Sequence, residues 1–354
     1  LVPGAYVVDT ITVPEDNPWK SWIRCSGFDF FEDGTTAAMC SVTGDVWIVS
    51  GIDEELKELK WRRYATGLFQ PLGLKIVEGQ VYVLGRDQIT RLHDLNKDGE
   101  ADFYENFNND ISITNHYHEF CLNLSTDPEG NFYFIKGGNL RKATVPHHGC
   151  LVRVSKDGSK LEIVATGHRA PNGMSVGPNG ELTSSDNEGN WVPTSRVNYV
   201  KPGGFYGHVH TAHRKEPPND YDKPLLWLPH QVDNSSGGQV WVNSNRWGPF
   251  SRGLLHLSYG KSTLFKVMKE EVDGQWQGAA VRFPLRFDSG MMRGRFNPHD
   301  GQLYLAGLRV WQSNGARFGA FHRVRYTGKP VHMPTELKVA KDGIRITFTN
   351  PLDA

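Results

Sequence analysis

Short apolar or aromatic runs, most of them alternating, recur along the chain, and a tight polar turn opens each one. The clearest are TGDVWIV (43–49), EGQVYVL (78–84), EGNFYFI (129–135), NGELTSS (179–185), SRGLLHLS (251–258) and DGQLYLA (300–306). A period of two predicts a strand, and Gly beside Asp, Asn or Glu predicts the turn that reverses it. Long amphipathic runs of helical period are scarce. The six units, spaced by roughly 35 to 75 residues, approach the repeat of four-stranded propeller blades. Two stretches match more closely, ATGLFQPLGLKI (65–76) and ATGHRAPNGMSV (165–176), which share ATGxxxPxGxxx. A lone four-stranded blade leaves its apolar faces open, whereas blades stacked round an axis cover one another. The pattern therefore predicts an all-β fold, a six-bladed β-propeller over 25–328, with loops at one end of the axis converging on a pocket.

Outside that span the pattern changes. Residues 1–24, rich in Pro and Trp, read as an irregular lead-in. Residues 329–354 read as a strand, Asp-Gly turn and strand, either a short C-terminal β-hairpin or the start of a further β-domain. Composition then narrows the function classes. The 354 residues carry 39 Lys and Arg against 39 Asp and Glu. Without a basic excess nothing marks a nucleic-acid partner or an anionic membrane surface, so a small molecule or glycan is the more natural ligand. No run reads as a membrane span, and the abrupt start at LVPGAYVV reads as a mature fragment whose targeting segment has gone, as in a secreted or periplasmic protein. Four cysteines lack CxxC spacing. Two disulfides, Cys25–Cys40 and Cys121–Cys150, and four buried thiols are both open readings.

The richest stretch for chemistry is 165–207, where His168, Arg169 and Asn172 precede one strand and the acidic turn Asp186-Asn187-Glu188 follows it. A second signal is DLNKDGEADFYE, which fits D-x-N-x-D-G-x5-E. That spacing wraps oxygen ligands round Ca²⁺: Asp94, Asn96 and Asp98 by side chain, Glu100 by its carbonyl, Asp102 directly or through water, and Glu105 closing the shell. Histidines cluster in loops, among them His116, His118, His147, His148, His208, His210 and His230. No acidic or Cys partner sits at metal spacing beside them, so general-base work, for which a neutral imidazole is suited near pH 7, outranks transition-metal ligation. Arg169, Arg293, Arg295 and Lys261 each lie beside a turn that opens a unit, where they suit carboxylate or quinone oxygens. Trp191, Trp227, Trp241, Trp247 and Trp311 read either as sugar-stacking rings or as plugs between blades.

The run GHRAPNGMSVGPNGEL…SDNEGN…SRVNYVKPGGFYGH resembles the GHRNPQGL…PDG…E…NxxxxGGNYGW signature of the soluble quinoprotein glucose and aldose sugar dehydrogenases. It is similar too to the propeller segment of large secreted bacterial membrane-bound-dehydrogenase-like proteins, often joined to c-type haem domains. The resemblance implies a six-bladed propeller that binds pyrroloquinoline quinone (PQQ) and Ca²⁺. It places His118, or else His116, as the base that takes the sugar hydroxyl proton, and Arg169 and Asn172 against quinone and substrate. It also sets Asp186, Asn187 and Glu188 where backbone carbonyls hold the quinone's Ca²⁺, and Arg293 and Lys261 on the quinone. The chain departs from the signature at Met291, where a second arginine stands, at Gly260, one place before Lys261, and at Ala170, where an Asn stands.

Three readings follow. In the first, the chain is an exported sugar or polyol dehydrogenase that depends on quinone and Ca²⁺, with a c-type cytochrome as electron acceptor. In the second, the same pocket serves a polysaccharide lyase or glycoside hydrolase, its arginines neutralising a uronate. In the third, the propeller is a non-catalytic glycan-binding module.

Overall fold

The structure is a computed structural model that describes residues 4–138, 145–216, 218–310 and 312–352. Among these residues the chain forms six four-stranded antiparallel sheets and one two-stranded hairpin. The innermost strands are Cys25–Phe30, Gly73–Val77, Cys121–Thr126, Gly173–Val176, Ser236–Trp241 and Gly290–Phe296. Each contacts the innermost strand of the next sheet, and the sixth contacts the first, so the sheets close into a ring as a β-propeller does.

Apolar side chains fill the wedges between sheets. Phe28 and Phe30 of the first sheet meet Phe321 and Tyr304 of the sixth edge to face, with ring centroids 4.9 Å apart in both pairs. Trp247, fully buried, donates its indole N–H to the Val324 carbonyl at 2.7 Å and so plugs the fifth sheet onto the sixth.

The lead-in is not irregular throughout. Tyr6–Ile11 is the outermost strand of the sixth sheet, paired with Gly319–Tyr326 from Tyr6↔Tyr326 to Ile11↔Phe321. Its buried ends, Tyr6 and Ile11, anchor it, and the first strand of the chain thereby locks the last sheet. The C-terminal hairpin, Pro334–Ala340 with Gly343–Phe348, packs on the fifth sheet, where the Val339 N–H donates to Glu270 Oε1 at 2.9 Å. All four cysteines are free, buried thiols, so the disulfide reading is set aside. Burial pushes Cys25, Cys40 and Cys150 up to about 12, which keeps them protonated and inert.

The recurring turns have a backbone cause. Gly34, Gly79, Gly130, Gly180 and Gly301 all take positive φ at the hairpin between the first and second strands of their sheets. TGDVWIV, by contrast, opens the third strand of the first sheet, Val46–Ser50, and the equivalent turn there is Glu32-Asp33-Gly34. The glycine shared by the two ATGxxxPxGxxx stretches opens an innermost strand. A Cβ on Gly73 would lie 2.6 Å from the Asn123 carbonyl carbon, and one on Gly173 would lie 2.3 Å from Gly238 Cα. Backbones touch round the axis, and only glycine permits it.

Candidate functional site

Two sets of loops meet at one end of the axis, here called upper: those entering each innermost strand, and those joining second to third strands. Hydrogen bonds tie them together. Gly138 donates to the Arg169 carbonyl at 2.9 Å, His168 donates to the Gly149 carbonyl at 3.1 Å, and Arg86 donates to the His116 carbonyl. His118, Arg169, Asn172, Asp186, Glu188, His230, Lys261 and Arg293 all lie in these loops or at the strand ends beneath them.

The loop 166–172 is fixed by Asp186, which is buried at the end of Leu182–Asp186. Its two carboxylate oxygens accept the N–H groups of Arg169 and Ala170 at 2.8 and 2.9 Å, and Arg196 pairs with it at 3.2 Å. Asp186 is thus a brace, and its carboxylate is not free for a cofactor. The N–H of Asn187 also turns back onto it, at 2.8 Å. Glu188 does face the mouth, bridging Arg169 Nη1 at 3.4 Å and His230 Nε2 at 3.1 Å.

Among the described residues, the buried polar atoms without a partner at this mouth include His118 Nδ1 and Asn172 Oδ1. Orphaned buried atoms of this kind mark a place where another group belongs. Burial first, and then His116 and Arg169, lower the His118 pKa below its ordinary value, so its ring is neutral at pH 7. His116 is committed to the turn, its Nδ1 accepting the His118 N–H at 3.3 Å and its carbonyl accepting Arg86 and Glu119. His118 is therefore the better placed of the two for base chemistry.

Arg293 takes a different role from the one the resemblance implies. A β-bulge between Met291 and Arg293 turns its side chain into the axis. There it donates to the carbonyls of Leu72 at 3.1 Å, Asn172 at 2.7 Å and Met292 at 2.9 Å, which belong to the second, fourth and sixth sheets or their entering loops. Burial, with Arg295 nearby, pushes its pKa down to about 9. The guanidinium is a plug that crosses the axis, and none of these donors is aimed at an external carboxylate. Met291 is fully buried in the core between the fifth and sixth sheets. A Cβ on Gly260 would lie 2.3 Å from Asn234 Oδ1, so a side chain there would displace the Asn234 amide. Lys261, in the next position, makes no ion pair among the described residues, and its N–H donates to Ser258 Oγ at 3.0 Å.

Beneath the mouth lies a buried triad that sequence reasoning missed in part. Glu119 pairs with Lys136 at 3.0 Å and His148 at 2.8 Å, all three fully buried. Burial opposes the Glu119 charge, but Thr114, Lys136 and His148 hold its pKa down to about 2. The available signal was a lone lysine closing the apolar run FYFIK. The triad fixes the turn that carries His118.

The acidic loop 94–102 joins the third and fourth strands of the second sheet, at the opposite, outer rim. Among the described residues no three His, Cys, Asp or Glu side chains converge as a metal centre. Glu105 is withdrawn from the loop by its strand, Phe103–Asn108, and pairs with His93 at 2.6 Å. Asp94 Oδ2 accepts the Gly99 N–H at 2.8 Å, and Asp102 Oδ2 the Leu95 N–H at 2.7 Å. The Asn96 amide sits between Asp98 Oδ2 and Asp102 Oδ1 at 3.1 and 3.2 Å, and Asp94 Oδ1 is buried without a partner. No three-histidine site forms either among the described residues, and Trp311 lies outside them.

A closed ring of four-stranded antiparallel sheets is the architecture of a β-propeller, and solved structures share it. The fold is similar to an oxidoreductase described as a glucose dehydrogenase from Thermus thermophilus, with TM-score 0.69 at 19% identity over 90% of this chain and 99% of that one. It is similar also to the PQQ-bound aldose sugar dehydrogenase of Streptomyces coelicolor, with TM-score 0.65 at 14% identity over 92% and 100%. The soluble aldose sugar dehydrogenase of Escherichia coli, in its apo form, gives TM-score 0.67 at 13% identity over 91% and 99%. At these identities the likeness is one of fold. No protein-family model and no curated protein sequence matches the chain. No helix among the described residues is long and apolar enough to cross a membrane.

Proposed function

We propose that the chain is a quinoprotein-type oxidoreductase whose six sheets act as six blades and whose upper mouth oxidises a hydroxyl of a carbohydrate or polyol. The observation that carries this reading is the pair of orphaned buried atoms, His118 Nδ1 and Asn172 Oδ1, beside Arg169 and at the mouth of the axis. These groups, with Lys261 on the same face, fit an anionic aromatic cofactor such as PQQ. The Arg293 guanidinium does not join them, because it is spent on backbone carbonyls, and Asp186 could contribute only its carbonyl, its carboxylate being spent on N–H groups and Arg196. When bound, the quinone supplies a two-electron acceptor for hydride.

The protein's own part is positioning and proton transfer. His118 Nε2 makes no hydrogen bond among the described residues and, in a ring held neutral, accepts the substrate hydroxyl proton as the carbon gives up hydride and becomes a carbonyl. Arg169, tied to Glu188, places positive charge beside the oxygen on which negative charge grows, and Asn172 orients a polar edge of cofactor or substrate. The braced loop 166–172 and the buried Glu119 triad hold these side chains before substrate arrives.

A structural Ca²⁺ on Asp94, Asn96, Asp98, Asp102 and the Glu100 carbonyl belongs to the same proposal, supported by the unpartnered Asp94 Oδ1. Glu105 is not among its ligands. Export and a c-type haem protein as electron acceptor are further parts of it, and rest on the sequence resemblance. The test is reconstitution: the chain is incubated with PQQ and Ca²⁺ and followed by quinone absorbance and dye reduction with aldoses. A spectral change with sugar-dependent reduction is expected. Quinone that neither binds nor turns over overturns the reading.

A further inference from the structure

The axis has a second mouth. At its lower end lies a cavity of about 380 Å³, to which all six innermost strands contribute. Asp29 comes from the first, Lys75 from the second, Thr126 from the third, Ser175 from the fourth, Trp241 from the fifth and Arg295 from the sixth. Two residues before Arg295 in the sixth strand is Arg293, whose guanidinium spans the axis above. The lower cavity is therefore separated from the upper mouth and is not an extension of it.

Its chemistry differs too. Every charged group in the lining is already satisfied within the chain. Asp29 pairs with Lys75, accepts the Ile76 N–H at 3.0 Å and has Arg295 at 3.8 Å. Arg295 also donates to the Leu124 carbonyl at 2.8 Å. Asp127 is held by the Asn131 side-chain amide and N–H at 2.9 and 2.8 Å. Two acids and two bases cancel, so the cavity offers no net charge to an ionic ligand. What remains uncommitted is neutral: the Thr126 and Ser175 hydroxyls and the Asn243 amide make no hydrogen bond among the described residues. Trp241 and Phe296 supply aromatic surface, and Pro128, Val176 and Pro178 apolar edges.

Neutral donors and acceptors beside aromatic faces suit a ligand that carries hydroxyls on an apolar ring. The volume lies within the range of small-molecule sites, towards its lower end. We propose that the lower cavity is a second, non-catalytic binding site for a neutral polyhydroxylated ring, a monosaccharide or a cyclic polyol. This inference stands apart from the reaction proposed above, because it uses no residue of the upper mouth and no cofactor.

Isothermal titration of the full chain with D-glucose, myo-inositol and D-gluconate tests it. To remove any contribution of the upper mouth, the titrations use the double variant His118→Ala/Asn172→Ala. That protein is expected to bind glucose or inositol saturably. Adding Thr126→Val and Ser175→Ala is expected to weaken binding by about tenfold or more, with the melting temperature unchanged. Should those changes impair folding, Asn243→Ala at the exposed rim is expected to weaken binding by about threefold. Three results overturn the proposal: no binding of either polyol up to about 100 mM, affinity indifferent to the cavity substitutions, or gluconate bound more tightly than glucose.

Discussion

The two mouths of the axis are built by the same six strands, yet one keeps its polar groups open and the other pairs its charges. At the upper end His118 Nδ1 and Asn172 Oδ1 are buried without partners, and among the described residues the Arg169 guanidinium makes one long contact, to Glu188. At the lower end Asp29, Lys75 and Arg295 satisfy one another and the backbone. Loops make the difference. The upper end collects the long entering loops, which can aim side chains inward, whereas the lower end is lined largely by strand termini whose side chains alternate in and out. A propeller thus keeps unsatisfied groups where loops can be rebuilt, and leaves the strand-built end settled.

That contrast depends first on the plug between them. Arg293→Leu strands buried carbonyls of Leu72, Asn172 and Met292, a loss only partly offset by not having to bury the guanidinium. Urea unfolding is expected to show destabilisation on the order of 4 kcal/mol. A loss below about 1 kcal/mol means that the axis is not held shut by this side chain.

Acid sharpens the comparison next, because His118 and His168, whose rings burial keeps neutral, both lie in upper loops. Burial pushes the His168 pKa down from 6.5 to about 4. A histidine whose folded pKa lies below its unfolded one destabilises the fold as pH falls through the unfolded value. Stability is therefore expected to fall by about 3 kcal/mol between about pH 6.5 and pH 4, measured as the denaturation midpoint against pH. His168→Gln should flatten that slope, and an unchanged slope contradicts the assignment.

Calcium gives the smallest expected effect, at the lower, outer rim. Saturating Ca²⁺ is expected to raise stability by about 2 kcal/mol over a chelated sample, read as a shift in melting temperature. Asp98→Ala should abolish the shift, and Glu105→Gln should leave it, since Glu105 is bound to His93. Loss of the shift in Glu105→Gln restores the ligand set that the spacing suggests.

Much of this architecture is legible in the sequence. Glycine beside an acidic or amide residue marks the hairpin turns, because positive φ is needed there, and the shared ATGxxxPxGxxx stretches mark two entries to the axis. Phase is less legible: TGDVWIV falls one strand later in its sheet than most of the other units, since Thr36–Ser41 is apolar without alternating. Tyr6–Ile11 stays hidden because a lone strand has no turn beside it to announce its partner, which lies more than 300 residues away. In the candidate site, the local runs that hold His118, Arg169 and Asn172 mark the loops entering innermost strands where the structure finds them. Arg293 and Asp186 cannot, because whether a charged group faces a ligand or the backbone is decided by bulges and loop packing between sheets. Glu105 misleads for a related reason, since strand pairing claims it before the loop can.

The central claim is that the upper mouth is the reactive end and that His118 takes the proton. Turnover of an aldose by the PQQ- and Ca²⁺-loaded chain, compared with His118→Gln and with Thr126→Val, tests it most directly. The expected result is a fall in kcat of about hundredfold to ten-thousandfold for His118→Gln at unchanged melting temperature, with Thr126→Val unaffected. Equal rates for His118→Gln and the unaltered chain, or a loss confined to Thr126→Val, contradict it.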